Sequence, residues 1–421
     1  MKVLVVGGGG REHAILTKLS QSKRVDRLYA APGNGGISKI AQCLPISATD
    51  IDGVIEAVRE HDIDLVFVAP DDPLMMGMVD RLNAVGIRTF GPRQNAALIE
   101  GSKVFAKELM KKYGIPTAAY EVFDDYHKAL AYIKEQNSYP TVIKAEGLAL
   151  GKGVIIAHNE DEASRALSSI MCDRIFGDAG CRVVIEEFLV GTEVSVLAFT
   201  DGKTIVPMVS AQDHKRVFDN DKGPNTGGMG AFSPSRVYTQ RIADYCMEHI
   251  YLPTIRAMAA EGRPFRGVLY FGLIVTDRGV YVIEYNARFG DPETQVVLPR
   301  LKTDLLDIIE AIEKEDLASI NIEWEDGAAV CVVAASGGYP QQYEKGYEIT
   351  GLDEIEKARN IMVYHAGTTL QDGKILTSGG RVLGVTAVSD TLDDAVFAAY
   401  RAIEKINFKN MHYRKDIGIK K

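Results

Sequence analysis

Two oxygen-bearing side chains near residue 284 have the spacing of a metal site. Glu284 and Asn286 lie two residues apart in the run VIEYNARFGDPE, so both face the same side of a β-strand. Carboxylate and amide oxygens suit a Mg²⁺ ion that is shared between a protein and nucleotide phosphates. Arg288 follows at the same spacing and adds a positive charge. A half-exposed strand with outward polar residues is the simpler alternative, but the ordered run of three favours the metal site.

A glycine-rich turn opens the first predicted helix. Gly7–Gly10 follow a strand, and the N–H groups at the helix start form an anion site to which Arg11 adds charge. A dinucleotide site is the weaker interpretation, because Glu12 or His13 stands at the third glycine position and the second strand ends without an acid. A tight turn with no further role is the other alternative. His13 is expected on the surface of the helix.

The segment Gly147–Gly153 has the glycines and the lysine of a P-loop but not its spacing. Three residues instead of four separate the first two glycines, and Gly153 replaces the metal-binding hydroxyl. The segment also joins two predicted antiparallel strands, which favours a mobile flap that closes over phosphates with Lys152, or a plain hairpin. Lys103 at a helix start and Lys144 in an apolar strand suggest anionic partners, since an unpaired lysine is costly to bury. Protection of a sheet edge is the alternative for such a lysine.

Further polar groups follow a strand predicted for Val183–Phe188. The backbone beyond such a strand can hydrogen-bond the edge of an adenine, and Glu193 can bind ribose hydroxyls. The polar segments Gln212–Arg216 and Gly223–Gly230 form one long loop region, and such loops are usually functional. The sequence shows no Cys/His nucleophile pair and no zinc-ligand cluster. It therefore predicts phosphoryl transfer without a protein nucleophile.

Three kinds of secondary structure pattern must position these groups. Strands and helices alternate over the first ~100 residues, which predicts a parallel sheet with ligands at the carboxyl ends of its strands. Ser102 is the expected N-cap of a helix that runs to Tyr113, antiparallel strands follow, and a long helix is expected near Thr239–Ala260. We predict a multidomain α/β and α+β protein with a domain at 1–101, a domain at 102–326 and a small α+β domain at 327–421.

Composition limits the class of protein. The 48 Lys and Arg against 57 Asp and Glu give a net charge of −9, which argues against a nucleic-acid binder. No apolar run is long enough for a membrane helix, and the N-terminus enters a strand at once, unlike a signal peptide. The 5 cysteines form no C-x-x-C pair, as in a reducing compartment. We expect a cytoplasmic protein that acts on small molecules, without nucleic-acid or membrane partners.

From end to end, the sequence resembles the glycinamide ribonucleotide synthetase family of the ATP-grasp superfamily. The resemblance rests on the runs VLVVGGGGREHA, PGNGG, KAEGLALGKGV, EEFLVGTEVS, DHKR, GPNTGGMGA, IEYNARFGDPE, SGGYP and SGGRVL. It implies an N-terminal Rossmann-like domain on the phosphoribosylamine side and a central ATP-grasp fold of two α+β subdomains. A mobile subdomain at approximately 120–190 would cover the nucleotide. A monomer or weak homodimer is expected.

The resemblance also implies site residues, with ATP and Mg²⁺ or Mn²⁺ as cofactors. The metal would be bound by Glu284 and Asn286, and the catalytic residues would be Arg288, Lys144 and Asp213. The nucleotide would be bound by Lys103, Lys144, Gly147, Gly151, Lys152, Gly153, Glu187, Phe188, Leu189 and Glu193. The other substrates would be bound by Gly8, Gly9, Arg11, Glu12, Asn34, Gly35, Asp213, Lys215, Asn225, Gly227, Gly228, Arg288, Asp291 and Pro292.

The implied reaction is the ATP-dependent ligation of glycine to 5-phosphoribosylamine, the second step of de novo purine biosynthesis. Glycine would pass through glycyl phosphate, with glycine in the Asp213 and Asn225–Gly228 region and the sugar phosphate at the N-terminal glycine turns. Another ATP-grasp ligase or carboxylase, such as a biotin carboxylase, is one alternative. A non-catalytic nucleotide-binding regulator is another, which ATP turnover would exclude. A nicotinamide-dependent dehydrogenase is the third alternative, and NADH fluorescence would test it.

Overall fold

A parallel sheet of five strands forms the N-terminal part of the computed structural model, which describes residues 1–147, 153–355 and 358–419. The elements are β1 (Lys2–Gly7), α1 (Gly10–Leu19), β2 (Arg27–Pro32), β3 (Gln42–Cys43), α2 (Ile51–His61), β4 (Leu65–Val68), α3 (Asp71–Met75), α4 (Met78–Ala84), β5 (Thr89–Phe90) and α5 (Gln94–Gly101). The strand order is β3-β2-β1-β4-β5, and every pair is parallel. Because helices cover both faces of such a sheet, the central strand Val3–Val6 is wholly apolar and buried. The predicted parallel sheet is confirmed.

A small antiparallel sheet follows, in the order β6-β9-β7-β8. Its region contains α6 (Lys103–Tyr113), β6 (Tyr120–Phe123), α7 (Tyr126–Gln136), β7 (Thr141–Ala145), β8 (Val154–Ala157), α8 (Glu160–Leu167) and β9 (Val183–Glu187). Helices α7 and α8 pack on it, and Ile133, Ile143 and Leu167 belong to a core of its own. This sheet and its helices therefore have a hydrophobic core that is separate from those of the other sheets.

A second antiparallel sheet has the order β11-β10-β16-β17. Along the chain it follows the small antiparallel sheet and precedes the C-terminal strands. The elements here are β10 (Thr192–Thr200), β11 (Ile205–Pro207), β12 (Gln212–Asp213), β13 (Arg216–Phe218), β14 (Lys222–Asn225), β15 (Gly230–Ser233), α9 (Gln240–Cys246), α10 (Leu252–Ala260), β16 (Gly267–Thr276), β17 (Gly279–Asn286), α11 (Thr294–Val297) and α12 (Leu305–Glu313). Its core is continuous with that of the parallel sheet, since Val5 of β1 and Phe199 of β10 belong to one buried cluster. The second sheet is thus attached to the N-terminal part.

The C-terminal part has a five-stranded sheet in the order β12-β15-β18-β22-β19. Its own elements are β18 (Ala328–Ala335), α13 (Leu352–Ile355), β19 (Ile361–His365), β20 (Thr368–Gln371), β21 (Lys374–Thr377), β22 (Arg381–Ser389) and α14 (Leu392–Ile403). Strands β12 and β15 precede the predicted boundary at residue 327, yet β15 pairs with β18. Segments from both sides of that boundary therefore share one sheet.

Two helix predictions can be compared with the structure directly. The Ser102 hydroxyl accepts a hydrogen bond from the Phe105 N–H at 3.1 Å, and Gly114 ends the helix at φ 66°. This is the predicted N-cap and stop of α6. The long helix expected near Thr239–Ala260 is present, but a π-helical turn at Met247–Tyr251 separates α9 from α10. None of the described helices combines the length and the apolar character needed to cross a membrane.

Candidate active site

A cleft of about 1110 Å³ receives side chains from all of these parts. The predicted site residues that line it are Arg11, Lys103, Lys144, Gly153, Glu193, Asp213, Lys215, Asn225, Gly227, Glu284, Asn286, Arg288 and Asp291. Other described ones lie outside its lining, namely Gly8, Gly9, Glu12, Asn34, Gly35, Gly147, Glu187, Phe188, Leu189, Gly228 and Pro292. The predictions for Gly151 and Lys152 fall outside the described residues.

A lysine bridges two of the predicted ligand carboxylates. Lys215 Nζ lies 3.2 Å from Glu193 Oε2 and 3.2 Å from Glu284 Oε1. The Lys215 charge lowers the pKa of Glu284 to about 2, against the opposing effect of burial. Glu284 is therefore ionised at neutral pH. The two carboxylates come from β10 and β17, which lie on either side of β16 in the sheet and which the sequence separates by about 90 residues.

The residues expected to bind a metal have a suitable donor set. Glu284 pairs with Gly272 and Asn286 with Tyr270, so the strand alternation between them is regular and both line the cleft. Asn286 Oδ1 accepts a hydrogen bond from Arg288 Nη2 at 3.2 Å. Within the described ranges, no group of three or more His, Cys, Asp or Glu residues could hold a metal. One carboxylate and one amide oxygen suit a metal that takes its other ligands from phosphates and water.

Lys144 is held by a carboxylate that sequence reasoning did not assign. Its Nζ lies 2.9 Å from Glu186 Oε1 and donates to the Ile283 carbonyl at 3.1 Å. The other oxygen, Glu186 Oε2, lies 3.0 Å from Lys107 Nζ. Burial lowers the pKa of Lys107 to about 8. The cluster combines two buried lysines with one buried carboxylate, which leaves positive charge available for an anion.

The sequence did contain a signal for Lys107. It lies four residues after Lys103 on α6, and residues at that spacing occupy the same face of a helix. Lys103 Nζ donates to the Gly147 carbonyl at 2.9 Å, so it contacts the beginning of the predicted flap. Both lysines line the cleft.

The acidic side chain at the end of β9 that faces the cleft is Glu186. Adjacent strand residues point to opposite faces, and Glu187 instead pairs with Arg278 at 2.6 Å on the exposed side. The expected adenine contact concerns the backbone at Glu187–Leu189, and it stays a prediction.

Arg288 is surrounded by acidic residues. Its Nη2 lies 2.9 Å from Glu100 Oε1 and 3.8 Å from Asp71 Oδ2. Its Nη1 donates to the Phe289 carbonyl at 3.3 Å. The buried Nε has no hydrogen-bond partner among the described residues. Neither Glu100 nor Asp71 was predicted, because nothing in the sequence indicates that α3 and α5 reach the segment after β17.

Asp213 lies in an acidic part of the cleft. Burial raises its pKa to about 8, opposed by the nearby Lys215 charge and reinforced by Glu293. Glu293 Oε1 accepts hydrogen bonds from Ser195 and Tyr270 hydroxyls, each at 3.1 Å. A carboxyl group that titrates near neutrality can bind an ammonium group or exchange a proton with an amine.

The C-terminal part contributes two residues that sequence reasoning missed. Arg381 Nη1 donates to the Gly227 carbonyl at 2.7 Å, and its Nη2 lies 3.0 Å from Asp291 Oδ2. The Gly227 N–H donates to the Tyr339 hydroxyl at 3.0 Å. The available signal was the position of Arg381 and Tyr339 within the family runs SGGRVL and SGGYP. Gly228 packs against Pro292 beside them, outside the cleft lining.

Most polar groups of the two N-terminal glycine turns, Gly7–Gly10 and Pro32–Gly36, bond within the protein. The Gly9 N–H donates to Glu12 Oε2 at 2.6 Å. Asn34 Nδ2 donates to the Gly8 carbonyl at 2.9 Å and to the His365 carbonyl at 2.7 Å. The Gly35 N–H donates to the Thr368 carbonyl at 3.2 Å. Of the residues predicted here, Arg11 alone lines the cleft.

The expectation that His13 lies on the helix surface is wrong. His13 is buried, and its Nδ1 accepts a hydrogen bond from the His365 N–H at 2.8 Å. The helix is covered on this side by the C-terminal part, which a local helix pattern does not reveal.

Comparison with known families gives one consistent result along the chain. Models of the phosphoribosylglycinamide synthetase N domain, ATP-grasp (A) domain and C domain match residues 1–100, 101–294 and 329–420, respectively. A phosphoribosylamine–glycine ligase of Caldanaerobacter subterraneus subsp. tengcongensis is 51% identical over 418 residues, which cover 99% of each chain. One of Halalkalibacterium halodurans is 50% identical over 420 residues, 100% of this chain and 97% of the relative.

Solved structures extend the comparison to the fold. A crystal structure of phosphoribosylamine–glycine ligase from Thermotoga maritima has a TM-score of 0.86 and 35% identity, covering 99% of this chain and 100% of the other. A biotin carboxylase complex from Campylobacter jejuni has a TM-score of 0.76 at 15% identity, covering 99% and 94%. The second likeness shows the fold alone. The predicted multidomain architecture with a central ATP-grasp fold is confirmed.

Proposed function

The chain belongs to the phosphoribosylglycinamide synthetase family, and from this membership we infer that it ligates glycine to 5-phosphoribosylamine with consumption of ATP. The products are glycinamide ribonucleotide, ADP and phosphate, in the second step of purine biosynthesis. The observation that carries this inference is one cleft lined by ionised Glu284, Asn286, Lys144 and Arg288. This set of residues suits phosphoryl transfer to a carboxylate.

ATP-grasp enzymes bind ATP together with a divalent metal, and we assign that metal to Glu284 and Asn286 as Mg²⁺ or Mn²⁺. When bound, the metal offsets negative charge on the phosphates. Lys103 and Lys144 would bind the phosphates from the side of the small antiparallel sheet. To do so, the Lys144 ammonium exchanges part of its contact with Glu186 for a phosphate oxygen. This exchange is easier because Lys107 still compensates the Glu186 charge.

The chemistry needs charge compensation more than it needs a nucleophile on the protein. The glycine carboxylate attacks the γ-phosphorus, ADP leaves, and glycyl phosphate forms. The amine of phosphoribosylamine then attacks the acyl carbon and forms the C–N bond. The C–O bond to phosphate breaks, phosphate leaves with the electron pair, and the nitrogen loses a proton to give the amide. Arg288 and Lys144 reduce the repulsion between carboxylate and triphosphate in the first step. The acyl phosphate reacts with water, so this chemistry also needs water to be excluded from the cleft.

Glycine is assigned to the region of Asp213 and Asn225–Gly228. An amino acid brings an ammonium group, and Asp213 with Glu293 provides carboxyl groups near Lys215 in the cleft. The sugar phosphate is assigned to the N-terminal turns, where Arg11 is the charged group that faces the cleft.

The free thiols of the described cysteines also support a cytoplasmic location.

Release of ADP from the purified protein with ATP and Mg²⁺ tests this function. Glycine and freshly generated phosphoribosylamine are supplied singly and together. We expect ADP only when both are present. ADP with neither, or only with a different acid and amine, would overturn the substrate assignment while leaving an ATP-dependent enzyme. No ADP in any combination would favour a nucleotide-binding regulator.

A further inference from the structure

We propose that Glu100 is a positioning residue that holds the Arg288 guanidinium in place for phosphoryl transfer, with Asp71 as a weaker second support. The inference rests on the proposed function, since that function makes Arg288 a residue that acts on the reacting groups. Glu100 itself acts only through Arg288 and the backbone beside it.

One carboxylate fixes both a side chain and the backbone that carries it. Glu100 Oε1 lies 2.9 Å from Arg288 Nη2, and Glu100 Oε2 accepts a hydrogen bond from the Ala287 N–H at 2.6 Å. An arginine side chain loses considerable rotational freedom when it is fixed in one geometry. Anchoring the preceding peptide as well as the guanidinium removes that freedom before substrate arrives.

The pair is shielded from water, which strengthens the electrostatic attraction between the two charges. The Glu100 side chain is 6% exposed and that of Arg288 is 17% exposed. Removing one partner of a buried pair leaves the other charge uncompensated. Asp71 Oδ2 is farther from Arg288 Nη2, at 3.8 Å, and its side chain is 20% exposed. Its contribution is therefore expected to be smaller.

The other contacts of Arg288 are with residues of its own segment of the chain. Nη2 also contacts Asn286 Oδ1 at 3.2 Å, and Nη1 donates to the Phe289 carbonyl at 3.3 Å. Nε is buried and has no hydrogen-bond partner in the described parts of the chain. Because Arg288 lines the cleft, its guanidinium lies beside the space that the substrates enter.

Turnover of Glu100→Gln, measured as ADP release with all three substrates, tests the proposal. The amide keeps the size of the side chain but cannot accept from both Ala287 and Arg288 as a charged group. We expect kcat to fall about tenfold, which corresponds to about 1.4 kcal/mol of barrier, with the KM for ATP unchanged. Glu56→Gln, on the exposed face of α2, is the matched control and should not change kcat.

A double-variant cycle with Arg288→Lys separates positioning from a general structural role. Residues that act as a unit have non-additive effects. We expect Glu100→Gln to lower kcat little further when Arg288 is already lysine. Effects that multiply in the double variant, or a Glu100→Gln kcat equal to wild type, would overturn the proposal.

Asp71→Asn keeps the test decisive if Glu100→Gln does not fold. We expect kcat to be about threefold lower, a smaller effect than the tenfold expected for Glu100→Gln, because Asp71 is farther from Arg288. Asp72→Asn, at the exposed neighbouring residue, should not change kcat. Equal kcat for both variants would then overturn the proposal. If the wild-type enzyme shows no turnover, the proposed function fails instead. Crystal structures of wild type and either variant would then decide the inference by whether Arg288 moves.

Discussion

Two polar regions were predicted to bind ligands, but their polar groups have different partners. One is the cleft floor, which consists of Lys144, Glu186, Lys215 and Glu284, and the other is the pair of N-terminal glycine turns. On the floor, Lys215 pairs with Glu284 and Lys144 pairs with Glu186, side chain to side chain, beside open space. In the turn Pro32–Gly36, the amide nitrogen of Asn34 donates to backbone carbonyls and its amide oxygen accepts from backbone N–H groups.

This difference separates residues that are available to ligands from residues that shape the chain. A charged pair that faces a cavity can exchange one contact for a phosphate or a metal without breaking secondary structure. A side chain that satisfies buried backbone groups cannot leave them without an energetic cost. Substitutions on the floor should therefore change activity, and substitution of Asn34 in the turn should change stability.

The largest effect is expected for Glu284→Gln. Loss of the carboxylate charge from the proposed metal site should reduce turnover at least ~100-fold, the scale of one strong electrostatic contribution. The measurement is ADP release with glycine and phosphoribosylamine. The thermal unfolding midpoint serves as the control and should change little, because Lys215 keeps Glu193 as a partner. Near-native turnover would remove Glu284 from the metal site.

Arg288→Lys should reduce kcat by about 10- to 100-fold, which corresponds to roughly 1.4–2.7 kcal/mol. A lysine keeps the charge but lacks the planar fork that contacts Glu100 and Asn286 together. Steady-state kinetics against Arg81→Lys, an exposed arginine on α4, provides the comparison. Unchanged kinetics would contradict a role of the guanidinium in the reaction.

Asn34→Ala tests the other side of the comparison. Its amide serves the Gly8 and His365 carbonyls and the Gly36 and Ile37 N–H groups. We expect the free energy of unfolding to fall by about 1–3 kcal/mol, the cost of leaving buried polar groups unpaired. Urea unfolding gives this value, with the exposed Asn83→Ala as control. A raised KM for phosphoribosylamine without loss of stability would instead place Asn34 in the substrate site.

The last prediction concerns the pH dependence of stability where His13 contacts His365. Burial, with the neighbouring His365 and Lys39 charges, lowers the pKa of His13 from 6.5 to about 3, and burial lowers that of His365 to about 4. Below pH 6.5 the unfolded chain binds protons that these folded histidines do not. The free energy of unfolding should therefore fall as pH drops from 6.5 toward 4, by at most about 1.4 kcal/mol per pH unit for each histidine.

His13→Gln removes one of these two groups. Its unfolding free energy should depend less on pH between 7 and 5 than that of wild type, by about 2 kcal/mol over the interval. The exposed His158→Gln is the matched control. An equal pH dependence for wild type and His13→Gln would show that His13 is accessible to protons in the folded protein.

Much of the fold could be predicted because its signals are local. The apolar run of β1, the cap at Ser102 and the stop at Gly114 each depend on a few neighbouring residues. The same is true of the spacing that puts Glu284 and Asn286 on one face of β17. By contrast, the pairing of β15 with β18 joins segments nearly 100 residues apart, and no local pattern encodes it.

The sequence by itself determined which chemical groups exist and how each lies on its own element. Strand and helix periodicity is set by backbone geometry, so the pattern of residues was enough to single out Glu284, Lys144 and Arg288. Only the tertiary structure decided which charges meet. Lys107 with Glu186, Glu100 with Arg288, and Arg381 with Asp291 are contacts between distant elements. Their formation depends on how burial of the shared core brings those elements together, and the electrostatic energy of each pair depends on the exposure that results.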